Sequence, residues 1–290
     1  MTTAPTTTEE STIASVPLSV DCTADSAGGL TFDIADWPAE VTPRDAALLL
    51  RRRGSDPADE VRLPLATDGA GRPRAVLPAA DELPEGRWDA YLAQGEESPT
   101  RLAPGLNDLR ALVDRQPAPG TSPLGVRIPY PTKYGNLSVR SWSRAPHAEA
   151  GEIVVDQAGM TVRGRLHRVA DAAGWLSGAL VEARCRDAAA LVRTVPVEAG
   201  DGPEFRFTLD YAELAAAWEA GEDAWDLWLS PGPDGSGDPV RIARILDDVP
   251  DKKEIFTYPT RTLAAPHEAV KAGPYYTADN DLSVRVSAAG

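Results

Sequence analysis

Apolar and polar residues alternate along this chain in short runs, and Gly, Pro, Asp or Ser separates nearly every run from the next. Side chains on an extended strand point alternately to opposite faces, so this pattern predicts half-buried strands. In the first half the runs are Leu18 to Cys22, Leu30 to Ile34, Ala47 to Arg51, Val61 to Leu65, Arg74 to Leu77, Trp88 to Leu92, Leu124 to Ile128 and Asn136 to Ser141. In the second they are Ile153 to Val155, Met160 to Leu166, Ala179 to Cys185, Val192 to Val197, Phe205 to Leu209, Ala224 to Leu229, Val240 to Ile245, Glu254 to Tyr258 and Leu282 to Val286. Strands this short, not alternating with long amphipathic helices, predict antiparallel sandwiches.

One helix interrupts the series. Asp210 is placed to cap Tyr211 to Ala220, with Glu213 at the capping-box position and Gly221 just past the end. It reads as a short crossover helix between sheets. Its counterpart, Ala79 to Gly86, contains Pro84 and holds at most one turn. Gly105 to Gln116 suits a helix as well as a strand.

The chain also repeats itself. Trp88-Asp89-Ala90-Tyr91-Leu92 returns as Trp225-Asp226-Leu227-Trp228-Leu229, and the segment Tyr130 to Arg140 returns as Tyr275 to Arg285, both ending in Leu-Ser-Val-Arg. Tyr258-Pro259-Thr260 offers a second alignment for Tyr130-Pro131-Thr132. The predicted fold is all-β: two tandem immunoglobulin-like or fibronectin-like antiparallel β-sandwiches with one short crossover helix. A disordered tail is expected at 1–15, the first repeat at 16–142, a linker at 143–151 and the second repeat at 152–290. Each repeat is long enough to bury its own core.

The formal net charge of -15 disfavours nucleic acid and anionic lipid, whose phosphates require clustered Lys and Arg. A neutral or cationic partner fits that charge better. The local exception is Arg51-Arg52-Arg53 with Arg62, Arg72 and Arg74, which suits either an anion site or solvated strand ends. Cys22 and Cys185 occupy non-corresponding places and alternate with apolar neighbours, so both are expected in cores and no disulfide framework is expected. Neither a secretory signal nor an apolar run long enough to span a membrane is visible, so the expected location is the cytoplasm, without membrane insertion.

Chemistry-bearing motifs are sparse. Gly69-Ala70-Gly71 lacks the third glycine and following helix of a phosphate cradle, and His147, His167 and His267 are scattered without a Cys pair. No metal or cofactor is expected. With 44 acidic residues, carboxylate pairs suited to glycoside chemistry arise by chance. The repeated strand remains. Period-two geometry turns Trp88, Ala90 and Leu92 inward and Asp89 and Tyr91 outward, and likewise leaves Asp226 and Trp228 outward. With Arg101 or Arg241 on the next strand, each set offers either a stacking and hydrogen-bonding surface for a sugar or an ordinary cross-strand cluster. Tyr134 and Asn136, and Tyr276 and Asn280, are expected on exposed loops at one end of each sandwich.

The Trp-Asp-x-aromatic-Leu strand, the Arg-Leu or Arg-Ile that follows it and the Leu-Ser-Val-Arg ending resemble the non-catalytic β-sandwich modules attached to teichoic-acid-type glycosyltransferases and glycerophosphotransferases of high-GC bacteria. The resemblance runs from about Pro17 to Ala289. It implies a role in oligomerisation or polymer recognition, without the nucleotide-sugar-binding catalytic domain of those enzymes. The sequence therefore reads as a non-enzymatic binding or interaction protein whose partner is a glycan or another protein. A structural assembly protein recruiting another chain, and a tailoring transferase or hydrolase with its site in the interdomain groove, remain as alternatives.

Overall fold

In the computed structural model, which describes residues 18–37, 45–56, 58–95, 97–113, 115–120, 122–233 and 235–289, the alternating runs become strands. The tail expected at 1–15 lies outside the described residues. The first half contains β1 (Ser19–Ala24), β2 (Leu30–Ile34), β3 (Ala46–Arg52), β4 (Glu60–Pro64), β5 (Ala66–Thr67), β6 (Pro73–Leu77), β7 (Gly86–Gln94), β8 (Thr100–Arg101), β9 (Ala103–Asp108), β10 (Leu124–Pro131) and β11 (Leu137–Arg144). The second contains β12 (His147–Val155), β13 (Gly159–His167), β14 (Leu180–Cys185), β15 (Val192–Pro196), β16 (Glu198–Ala199), β17 (Glu204–Asp210), β18 (Glu222–Ser230), β19 (Val240–Ala243), β20 (Arg261–Ala264), β21 (Ala269–Tyr276) and β22 (Leu282–Ala288).

Strand order shows the duplication. One sheet of the first half runs β10-β11-β7-β3-β4, and its counterpart runs β21-β22-β18-β14-β15, with β20 added outside β21. The other runs β5-β6-β2-β1-β9 and is matched by β16-β17-β13-β12-β19. Most neighbours are antiparallel, and one parallel pair recurs: β1 with β9, and β12 with β19. In both halves this strand region changes sheets. Tyr91 pairs with Arg101 just before Ala103 joins Ser19, and Trp228 pairs with Arg241 just before Ile242 joins Ala148.

Period-two burial builds two apolar cores. Phe32, Leu48, Leu50, Trp88, Val126 and Val139 fill the first; Phe207, Tyr211, Trp218, Trp225, Leu227 and Val284 fill the second. Cys22 and Cys185 are buried and free. Burial pushes the Cys22 thiol pKa up, as expected of a small core residue.

The helical content differs from expectation in detail. Asp210 accepts from Ala212 N at 2.8 Å and caps α2, but that helix spans only Tyr211–Ala215 because the chain tightens to three-residue hydrogen bonds that turn Trp218 into the core. A second short helix, α1 (Ala172–Leu176), is capped by Asp171. Between 105 and 116 the strand β9 comes first and a single 3-10 turn, Arg110–Leu112, follows. Residues 254–258 form no strand, since Ile255 and Phe256 both donate to Lys252 O in a turn. The counterpart of β10 is instead β21, which pairs with β22 along its length and aligns Tyr275 with Tyr130.

Residues 143–151, expected as a linker, are mostly strand, and only Ala145 and Pro146 lie between β11 and β12. The turn at 277–281 docks on the outward face of β7 and β11. Arg87 donates to Ala278 O (2.9 Å), Arg140 to Asp279 Oδ1 (2.7 Å), Trp142 Nε1 to Asp279 O (3.1 Å) and Arg144 to Asp281 Oδ1 (2.9 Å). Ala243 and Ile245 complete the packing against the first core. Strand β11 is therefore buried on both faces, which explains why Arg140 and Trp142 are both hidden.

Trp142→Ala removes a buried ring and a hydrogen bond from this seam. We expect it to lower stability by about 3–5 kcal/mol in urea titrations, the usual cost of truncating a buried tryptophan. A loss below about 1 kcal/mol would show that the seam contributes little.

Candidate functional site

The outward face of the repeated strand carries the same cluster twice. In the first copy, Arg53 donates to Asp89 through Nε (2.8 Å) and Nη2 (2.5 Å), Ser138 Oγ donates to the same carboxylate (2.7 Å), and Arg101 Nη1 lies 3.3 Å from it. In the second, Arg186 (2.7 Å), Ser283 (2.8 Å) and Arg241 (3.2 Å) surround Asp226. One carboxylate thus joins side chains from three directions. Burial works to raise both carboxyl pKa values, but the hydrogen bonds from arginine and serine, with the charge of the second arginine, outweigh it and hold Asp89 and Asp226 below the usual range.

The aromatic members are covered in the same way. Arg51 and Arg101 lie 5.2 and 4.8 Å from the Tyr91 ring centroid, and Arg184 and Arg241 lie 4.8 and 5.4 Å from that of Trp228. Their ring faces are therefore engaged by guanidinium groups, which displaces the expected role of Tyr91 and Trp228 as open stacking platforms. The arginines responsible include a repeated Arg-x-Arg, residues 51–53 and 184–186, in register with the Asp and aromatic positions. That repeat was visible in the sequence and is the signal that would have found Arg53 and Arg186. The expected basic strip is also neutralised in pairs: Arg51 with Glu60, Arg52 with Asp59, Arg72 with Asp68 and Arg74 with Asp33.

The turns differ between copies. In both, the Thr hydroxyl receives a backbone N–H at 3.2 Å, from Asn136 in one and Asp281 in the other. Gly135 (φ +72) in the first turn corresponds to Asn280 (φ +61) in the second, a left-handed position that Gly and Asn tolerate best. Asn280 is not exposed as expected: it is buried, with its side chain accepting from Lys252 N (3.0 Å) and donating to Val249 O (3.3 Å). Tyr276 is likewise buried in the second core against Phe256 and Tyr258, because β21 turns it inward. Neither can meet a ligand from solvent. Tyr134, by contrast, is 77% exposed, with Lys133 Nζ 4.9 Å from its ring centroid.

A pocket of about 660 Å³ opens beside the first cluster. It gathers Asp89, Arg101, Tyr134 and Asn136 with Arg53 and Tyr130, and residues 250–251 of the second half form its far wall. Four of the sequence-predicted residues therefore meet in one place. Asp226, Trp228 and Arg241 form the second cluster, where Asp281 contacts both Arg241 and Arg144 and a space of about 550 Å³ opens beside the two arginines.

Two histidines dispersed in sequence also come together. His147 and His167 face each other across β12 and β13 with ring centroids 6.2 Å apart, and His147 Nε2 lies 2.7 Å from Glu149. Glu149 also receives Ile245 N and Leu246 N, so its carboxylate anchors the chain after β19. Among the described residues no group of three or more His, Cys, Asp or Glu is placed to hold a metal ion, and no helix is long and apolar enough to cross a membrane.

No protein-family model matches the chain, and no curated protein matches it. Among solved structures, weak similarity is found to S. aureus TarS. A crystal structure of TarS residues 217–571 gives a TM-score of 0.32 at 13% identity, covering 67% of this chain and 56% of that one. A longer TarS structure gives 0.31 at 13% identity, covering 68% of this chain and 37% of that one. A tetra-tandem repeat from the extending region of a large adhesion protein gives 0.21 at 9% identity, covering 93% and 66%. The chain thus spans about half, or less, of the TarS chains it resembles. Likeness this remote carries no argument about function.

The buried groups set an acid response. Desolvation, with the nearby His147, pushes the His167 pKa down from 6.5 to about 4. Between those values the unfolded chain takes up a proton that the folded chain refuses, so stability falls as pH drops from about 6.5 to about 4. Asp89 and Asp226, with depressed folded values, contribute stability that is present above their ordinary value of 3.8 and lost as pH falls below it. We expect thermal melts to show a decline beginning near pH 6.5, with His167→Gln removing the first part; an unchanged slope would contradict this.

Proposed function

We propose that the chain is a non-enzymatic binding protein, built from a first sandwich unit ending at Arg144 and a second beginning at His147, whose ligand seat is the pocket beside Asp89. Its ligand is a glycan. One observation supports this most directly: the same cluster occurs twice, Asp281 supplies Arg241 of the second copy with a further carboxylate, and the first copy has an open pocket with an exposed tyrosine at its rim. Sugars are held by an aromatic ring against their C–H face together with fixed polar groups at their hydroxyls. Tyr134 offers the first, and Arg53, Asp89 and Asn136 offer the second.

The pocket lining favours binding over catalysis. It contains no histidine or cysteine, and its one inner carboxylate, Asp89, is committed to two arginines and a serine. The 277–281 turn bridges the halves, while a groove of about 430 Å³ between residues 116–120 and 165–173, with His167 and Asp171 in its lining, stays open.

Titration calorimetry against a panel of neutral and acidic oligosaccharides tests the reading. At least one should bind, Tyr134→Ala should weaken it about tenfold, equivalent to about 1.4 kcal/mol, and Trp228→Ala should leave it unchanged. Absence of binding across the panel, or equal loss in Trp228→Ala, would overturn it.

A further inference from the structure

The two copies differ at one telling position. In the second, Asp281 places its carboxylate against the cluster: Oδ2 lies 3.7 Å from Arg241 Nε, and Oδ1 accepts from Arg144 at 2.9 Å. Arg241 therefore has two carboxylate neighbours, Asp226 and Asp281. The first copy carries Asn136 at the corresponding position, just before Leu137 as Asp281 is just before Leu282. Its amide has no charge. Arg101, the equivalent of Arg241, is left with Asp89 alone, which it shares with Arg53.

The pocket thus keeps an unbalanced positive charge. Arg53, Arg101 and Lys133 line it against Asp89 and Asp251, three positive groups to two negative. Arg101 retains 24% of side-chain exposure against 14% for Arg241, while Arg53 at 41% and Arg186 at 47% are alike. The protein's remaining negative charge acts weakly here, because salt screens interactions beyond about 8 Å at physiological ionic strength.

We propose that the first pocket takes a sugar acid, with the ligand carboxylate occupying the place beside Arg101 that Asp281 fills beside Arg241. The second half supplies its own carboxylate; the first receives one from outside. Guanidinium groups pair with carboxylates through directed, charge-assisted hydrogen bonds, which gives such a seat both strength and orientation. The sugar ring then lies toward Tyr134. This assignment rests on the glycan reading above and narrows it to uronic-acid-type residues.

The test uses the full chain and follows NMR chemical shifts on adding sodium D-glucuronate, the methyl ester of D-glucuronic acid, D-glucose or sodium acetate. Glucuronate should bind at least tenfold more tightly than the ester, glucose or acetate, and its affinity should fall with added salt. Asn136→Asp installs in the first half the residue that the second half already accommodates, so the fold should persist while glucuronate affinity drops at least tenfold. Arg101→Gln should lose the preference of glucuronate over its ester. Equal binding of glucose or the ester would overturn the sugar-acid assignment and leave the glycan reading standing. Acetate binding as tightly as glucuronate would reduce the seat to a simple anion site and overturn it too. Unaltered glucuronate binding by Asn136→Asp would remove the carboxylate from the proposed place, and a panel in which no sugar binds would remove both readings together.

Discussion

A carboxylate shared between two arginines on the outward face of a central strand is the constraint around which each sandwich is arranged. Asp89 and Asp226 sit on β7 and β18, and each receives side chains from the strand on either side and from the strand region that changes sheets. The arrangement answers an electrostatic problem. Arginines laid over aromatic rings on a partly buried surface need a counter-charge within hydrogen-bond reach, and one carboxylate per cluster provides it for both. The aromatic two residues on, Tyr91 or Trp228, and the serine of the neighbouring strand, Ser138 or Ser283, complete that arrangement.

This constraint explains why the duplicated motif was readable while its role was not. Alternation of apolar residues revealed nearly every strand, because each sandwich buries one face of each sheet and period two is the signature of that burial. Strand β21 was not legible because Ala269–Tyr276 contains Gly273 and Pro274, which read as a turn, although the pairing with β22 passes through both. Residues 254–258 misled in the opposite way, since their apolar side chains pack around the turn after Lys252 rather than along a ladder.

The candidate site was half visible. Asp89, Arg101, Tyr134 and Asn136 were named from the repeat alone and do line one pocket, but Tyr276 and Asn280 share their types without their surroundings. The reason is the seam. Asn280 is buried because the second turn docks onto Arg87, Arg140, Trp142 and Arg144, residues whose partners lie more than a hundred positions away and leave no periodic trace. Arg53 was legible only as part of a basic strip, suited to an anion site or to solvated strand ends, and not as a partner of Asp89, although its Arg-x-Arg spacing recurs at 184 and 186.

The short passage between β11 and β12 gives the chain a mechanical character. With Ala145 and Pro146 alone between them, tension along the backbone enters one ladder almost as it leaves another. Strand β11 is paired on both sides, with β10 and β7, and β12 with β13 and β19, so the passage is held by ladders of hydrogen bonds at each end. The docked turn joins the halves again, at Arg144 beside the passage and at Arg87, Arg140 and Trp142. Bending at the passage would therefore have to break those contacts, which makes the junction a stiff joint and not a tether.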